Sequence, residues 1–151
     1  MTAERSAAAP SLVGSWRLRR WEAIGDDGSI AYPFGEEPEG ILVYTADGTM
    51  LTTIGRGARP ALSTADPVSG PVEERLAAAE SFVAYSGAYT WDGHDAVHQV
   101  EMSLFPNWVG TSQVRHTTLS DDGDTLVLTA DPFVLRGRRA SQQLTWQRLR
   151  R

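Results

Sequence analysis

The sequence predicts an all-β protein, an antiparallel up-and-down β-barrel of about eight strands closed on itself, with one helix at about 72–84 inserted between strands. Two observations lead there. Short segments in which apolar and polar residues alternate recur along the 151 residues, and they are divided by Asp-Gly and Gly/Pro turn chemistry. A single stretch, opened by Pro71, instead carries helix signals. A meander of so many short strands protects its edges best by closing. Eight strands leave an interior that side chains, or one small ligand, can fill.

In chain order, residues 1–10 read as a disordered leader and residues 11–151 as one barrel domain. Strands are expected at Ser15–Ile24, Ser29–Phe34, Gly40–Ala46 and Thr49–Ile54. They are separated by Asp26-Asp27-Gly28, Gly35–Pro38 and Asp47-Gly48, all turn formers. Gly55–Gly70 is rich in Gly and Pro and reads as a loop. Pro71 then suits a first helical turn, where its missing N–H costs nothing, and Glu73 and Glu74 suit the positive end of the helix dipole. Strands resume at Tyr85–Trp91, Ala96–Phe105, Gly110–Leu119, Thr125–Ala130 and Ser141–Arg148. A longer connection is expected at Pro132–Arg139.

Composition narrows the chemistry. Cysteine is absent, which excludes thiol nucleophiles, disulfides and thiolate metal sites. All 14 basic residues are arginine, so Schiff-base and lysine acid/base chemistry is excluded as well. A net charge of −5 without a basic tract speaks against nucleic acid and anionic membranes as partners. No apolar run reaches the length of a membrane span, and the Ala-rich polar start does not read as a signal peptide. The expected location is the cytoplasm. Exposed Trp21 or Trp91 would make a homodimer possible.

Parity along the hairpin Tyr85–Arg115 assigns side chains to faces. A two- or four-residue turn at Asp92-Gly93 puts Tyr85, Gly87, Tyr89 and Trp91 on one face with His98, Val100, Met102 and Leu104. That face is the more apolar and is expected to point inward. A four-residue loop at Pro106–Val109 extends it to Thr111, Gln113, Arg115 and Thr117. Glu101 has the opposite parity and is expected outside unless a bulge intervenes.

Gly14-Ser15-Trp16 on the first strand matches the G-x-W signature of lipocalins, and the chain ends in Trp146-Gln147-Arg148 where lipocalins carry a late Arg over that Trp. Together with YPFGEEPEGILVYTADGTM and the segment from Ala84 to Arg115, the chain from about Leu12 to Arg148 resembles the bacterial and fungal lipocalin-like domain family. The resemblance implies a closed barrel with a ligand-sized interior. Some such proteins act as cyclases or isomerases on hydrophobic biosynthetic intermediates, and others only bind ligands.

The candidate catalytic residues are His98, Tyr85, Tyr89 and Arg115. His98 is the acid/base candidate, because imidazole titrates near neutral pH; the competing role is a core histidine satisfied by a tyrosine or a carbonyl. Tyr85 and Tyr89 would donate to a carbonyl or enolate, or pack with their hydroxyls at the barrel mouth. Arg115 would grip a carboxylate or enolate oxygen, or pair with Glu101. Tyr44, Met102, Phe105, Trp108 and Gln113 are the expected substrate contacts. Trp16 and Arg148 are expected to seal the closed end by a cation–π stack.

No metal site is expected: His94 and His98 would stand roughly 13 Å apart on an extended strand, and His116 falls on the other face. Nucleotide-binding and serine-hydrolase motifs are missing, and no cofactor is expected. Two functions follow. One is a cofactor-independent cyclase, isomerase or lyase acting on a hydrophobic oxygenated small molecule. The alternative is a carrier that binds such a molecule without converting it.

Overall fold

The computed structural model describes residues 8–150, so the expected leader lies mostly outside the described residues. The strands are β1 (Gly14–Ile24), β2 (Ile30–Ala31), β3 (Glu39–Tyr44), β4 (Thr49–Gly55), β5 (Phe82–Trp91), β6 (Asp95–Ser103), β7 (Ser112–Leu119), β8 (Thr125–Leu135) and β9 (Arg138–Arg148). The helix α1 (Val72–Glu80) precedes β5, and a short 3₁₀ turn, Pro106–Trp108, joins β6 to β7. Every pairing is antiparallel, and β1 pairs with both β3 and β9. Eight long strands therefore close into the expected barrel, with β2 as a short addition to the end of β1. No helix among the described residues is long and apolar enough to cross a membrane.

Three boundaries differ from expectation. The helix stops at Glu80, because Phe82, Val83 and Ala84 are drawn into β5 by pairing with Gly55, Ile54 and Thr53. The strand expected over Ser29–Phe34 shrinks to Ile30–Ala31. Pro33 has no N–H to give a ladder, and Tyr32–Gly35 turns instead, Gly35 donating to the Tyr32 carbonyl at 3.1 Å. The long connection expected at Pro132–Arg139 is a continuous hairpin. Arg136 and Gly137 both adopt positive φ, the geometry that a two-residue primed turn requires, and pairing resumes after an irregularity at Asp131-Pro132.

The interior follows from alternation modified by bulges on β1 and β6, as well as by the irregularity on β8. On β1, Trp16 and Leu18 point inward; then Leu18 opposes Trp146 and Arg20 opposes Thr145, leaving Arg19 as an extra residue. The bulge reverses parity, so Trp21 and Ala23 also turn inward. Trp21 is consequently buried, and Trp91 is half-buried with its indole N–H donated to Thr117 Oγ1 at 2.9 Å. Neither offers the exposed surface that suggested a dimer.

The second bulge lies on β6. Gly87 opposes Val100 but Ser86 opposes Met102, so Glu101 is extra. Glu101 is exposed as expected, but parity beyond it is inverted. Met102 is consequently 72% exposed and Leu104 50% exposed, and neither shares the inner face with His98.

One end of the barrel is sealed. Trp16, fully buried, donates its indole N–H to the Leu12 carbonyl at 2.9 Å, and the Arg148 guanidinium lies 4.2 Å from its ring centre. The same guanidinium donates to the carbonyls of Ser11, Val13 and Gly123. This is the stack the sequence leads one to expect, reinforced by three hydrogen bonds from a charged donor.

Candidate functional site

The floor of the barrel interior is a three-residue polar chain. His98 on β6 is 1% exposed. Its Nε2 lies 2.8 Å from the hydroxyl of Tyr44 on β3, and its Nδ1 lies 2.8 Å from the hydroxyl of Tyr85 on β5. Burial, with the positive charge of Arg115 as a second cause, holds the His98 pKa down to about 3, so the ring is neutral at physiological pH. Burial also pushes both phenols up, Tyr44 well above its ordinary value, and the guanidinium of Arg115 partly offsets the rise at Tyr85. All three groups are thus uncharged, as an interior of low polarity demands.

Beyond this chain lies a cavity of about 70 Å³. That is several times the roughly 10–15 Å³ a single water requires. Its wall is largely apolar, formed by residues such as Leu42, Ile54, Val83, Leu128 and Leu144, with Trp21 and Trp146 as flat faces. Tyr85, His98, Arg115, Thr52 and Gln142 supply the polar groups. An outer cleft of about 380 Å³ adjoins it. Trp108, Arg115, Ala130 and Phe133 line both spaces and so form the boundary between them. A molecule larger than the inner cavity would extend past these residues.

The expected site residues divide into three groups. Tyr85, His98, Arg115 and Trp108 reach the cavity wall together. Arg115 opposes Ala96 across β6–β7 and Gln113 opposes His98, so the expected face is the observed one, although the four-residue loop expected at Pro106–Val109 would set Thr117 opposite His98 and the strands pair four residues away from that register. Arg115 donates to the Val114 carbonyl and to Gln113 Oε1, and no carboxylate lies within 4 Å of it among the described residues. It is not paired with Glu101. Gln113 lines the outer cleft rather than the cavity.

A second group supports the wall from behind. Tyr44 does not line the cavity, and its ring packs against Tyr89 at 4.6 Å between centres. Tyr89 opposes His98 as parity requires, yet its hydroxyl donates to the Thr45 carbonyl at 2.8 Å. Tyr89 is therefore held to the β3–β4 turn and away from the cavity, contrary to the expected role beside His98. Phe105 and Met102 form the third group, and they stand outside. Phe105 is 51% exposed and meets Trp108 edge-on at 5.6 Å, because the bulge at Glu101 and the turn after it carry the chain out of the barrel. Trp108 in turn meets Tyr85 edge-on at 5.7 Å.

His116 lies on the outer face as expected, between Asp95 and Asp131 at 2.8 and 2.9 Å, and these carboxylates raise its pKa. No group of three metal-ligating side chains occurs among the described residues.

The strand expected at Ser141–Arg148 carries cavity residues that its sequence was not read as supplying. Gln142, 2% exposed, accepts the indole N–H of Trp21 at 2.7 Å and donates to the Ala140 carbonyl. Trp146 is buried, and its Nε1 has no hydrogen-bond partner among the described residues. The signal was present in the period-two run Ala140, Gln142, Leu144, Trp146, which places a carboxamide on an otherwise apolar inner face.

Comparison with known proteins agrees with the architecture. Residues 13–149 match the profile of the lipocalin-like domain. The chain is also 38% identical over 93 residues, covering 56% of its own length and 82% of the relative, to a 4'-hydroxy-3'-methoxypropiophenone carrier protein of Aspergillus oryzae. The chain belongs to the lipocalin-like domain family.

Proposed function

We propose that the protein is a carrier for a small, largely apolar, oxygen-bearing molecule, which it holds in the barrel cavity and releases unchanged. The observation that carries this reading is the cavity itself, an apolar pocket with a few fixed polar groups inside a closed barrel. The relative named as a propiophenone carrier supports an aryl ketone or similar compound as the cargo. The state of His98 favours binding over conversion. With its pKa at about 3 it is a weak base near neutral pH, and both ring nitrogens are already engaged by tyrosines. A cyclase, isomerase or lyase reading would then depend on shape, with the barrel folding a flexible substrate into a reactive conformation.

The test is a titration with 4'-hydroxy-3'-methoxypropiophenone followed by tryptophan fluorescence, since Trp21, Trp108 and Trp146 all line the cavity. The expected result is saturable binding of one molecule per chain with a Kd on the order of micromolar. Mass spectrometry should recover the ketone unaltered after prolonged incubation. A product formed only with the protein present would replace the carrier by an enzyme, and an absence of saturable quenching would remove the reading.

A further inference from the structure

We propose that the cavity recognises its ligand through hydrogen-bond donors set on opposite walls, and so selects molecules carrying two acceptor oxygens, such as an alkoxy-substituted aryl ketone. The proposal rests on the carrier reading and specifies the chemistry of the cargo.

The first donor follows from the direction of the protons in the floor chain. Tyr44 is 1% exposed, lies off the cavity, and has His98 as its sole hydrogen-bond partner among the described residues. If the neutral ring donated to Tyr44, the Tyr44 proton would be buried without an acceptor, and an orphaned donor is costly. Tyr44 therefore donates to Nε2. The ring proton then sits on Nδ1 and is donated to the Tyr85 oxygen at 2.8 Å. With its oxygen serving His98 as acceptor, Tyr85 has its own O–H free. Tyr85 lines the cavity, so that proton is offered to whatever occupies it. Arg115, also on the wall and without a carboxylate partner among the described residues, adds N–H groups on the same side.

The second donor is independent of the first. Trp146 lines the cavity, and its buried Nε1–H lacks an acceptor among the described residues. Buried donors in native proteins are nearly always satisfied, so one left open on a cavity wall implies a ligand acceptor. Around the closed sheet β5 and β9 are four strands apart in either direction, which sets Tyr85 and Trp146 on opposite sides of the barrel. The acceptors on the wall are mostly occupied. Gln142 Oε1 takes the Trp21 N–H and Nε2 of His98 takes the Tyr44 proton, while Thr52, its proton donated to the Ile41 carbonyl, keeps an acceptor oxygen. A ligand with acceptor oxygens matches this wall, and one with donors in their place does not.

Four probes of similar shape separate the contributions: para-methoxypropiophenone, propiophenone, para-propylanisole and propylbenzene. Their affinities are measured by fluorescence titration, with a parallel ¹H–¹⁵N spectrum of the tryptophan indole groups. Each oxygen removed is expected to weaken binding by about tenfold. The Trp146 indole proton, assigned by its loss in Trp146→Phe or by its ring contacts in the unsubstituted protein, should move downfield with para-methoxypropiophenone and stay in place with propylbenzene. Tyr85→Phe should abolish the advantage of propiophenone over propylbenzene. Four equal affinities with an unmoved Trp146 proton would overturn the donor proposal and leave the carrier reading standing. Failure of all four to bind would remove both.

Discussion

Acidification from pH 6.5 to about pH 3 is expected to destabilise the protein by on the order of 4–5 kcal/mol through His98 alone. The native ring stays neutral down to about pH 3, whereas in the unfolded chain it takes up a proton below its ordinary 6.5. Throughout that window the unfolded state binds the extra proton, so stability falls as pH falls, by about 1.4 kcal/mol for each pH unit. His116 acts in the opposite direction. Its raised pKa means that protonation between Asp95 and Asp131 stabilises the native state at low pH, a gain lost as pH rises through the folded value. Its side chain is 47% exposed, however, and screened surface pairs of this kind contribute little, so His98 prevails. The check is urea unfolding of the natural protein and of His98→Gln, which keeps a donor and an acceptor for the two tyrosines. Asp27, Asp47, Asp92 and Asp122, all held below the usual carboxylate range by local hydrogen bonds, also favour neutral pH but are shared by both proteins and cancel. The stability difference between the two should shift by about 3 kcal/mol in favour of the variant between pH 6.5 and pH 4. Parallel pH profiles would show that His98 titrates normally.

Gly87→Ala is expected to cost about 3 kcal/mol or more, a large effect for a single methyl group. A Cβ at this position would lie 1.8 Å from the carbonyl oxygen of Gln99 and 3.0 Å from the amide nitrogen of Glu101. Both are backbone atoms of the bulged strand, which no rotamer change can move aside, so β5 and β6 would have to part. The bulge they form is what sets Ser103 opposite Tyr85 and thereby positions the tyrosine that His98 engages. Gly93→Ala provides the comparison. Gly93 sits at φ +96° with open space around it, so alanine there meets only the backbone preference, about 1–2 kcal/mol. Chemical denaturation should rank Gly87→Ala below Gly93→Ala, and Gly87→Ala should also weaken ligand binding. Equal stabilities would mean that β6 can yield at Gln99.

The barrel and the central half of the site were legible because both depend on period-two alternation. Tyr85, His98, Gln113 and Arg115 fall on one face by counting from two turns; β5 and β6 pair in the counted register, and β6 and β7 keep the face but pair four residues away from it. The departures in parity have a common cause. Arg19 and Glu101 each add one residue to a strand, and the parity of everything beyond reverses, which buries Trp21 and exposes Met102. Nothing local in S-W-R-L-R-R-W announces a bulge; it arises because burying Trp16, Leu18 and Trp21 together outweighs the lost ladder bond. Tyr89 was misassigned for a different reason. Its face was correct, but a hydroxyl at the end of a long ring can satisfy itself at a distant turn, here the Thr45 carbonyl, which no strand pattern encodes. Tyr44 came from the sequence as a ligand contact and instead orients His98 from behind.

The central claim, that a small oxygen-bearing molecule lies unconverted against the His98–Tyr85 floor, is tested most directly by isotope-filtered nuclear Overhauser spectroscopy. Labelled protein would be mixed with unlabelled 4'-hydroxy-3'-methoxypropiophenone. The account predicts contacts from the ligand to the rings of Tyr85, Trp108 and Trp146, with the ligand's own signals unchanged over days. Contacts confined to outward-facing groups such as Met102 and Val114, or replacement of the ketone's signals by those of a new compound, would contradict it.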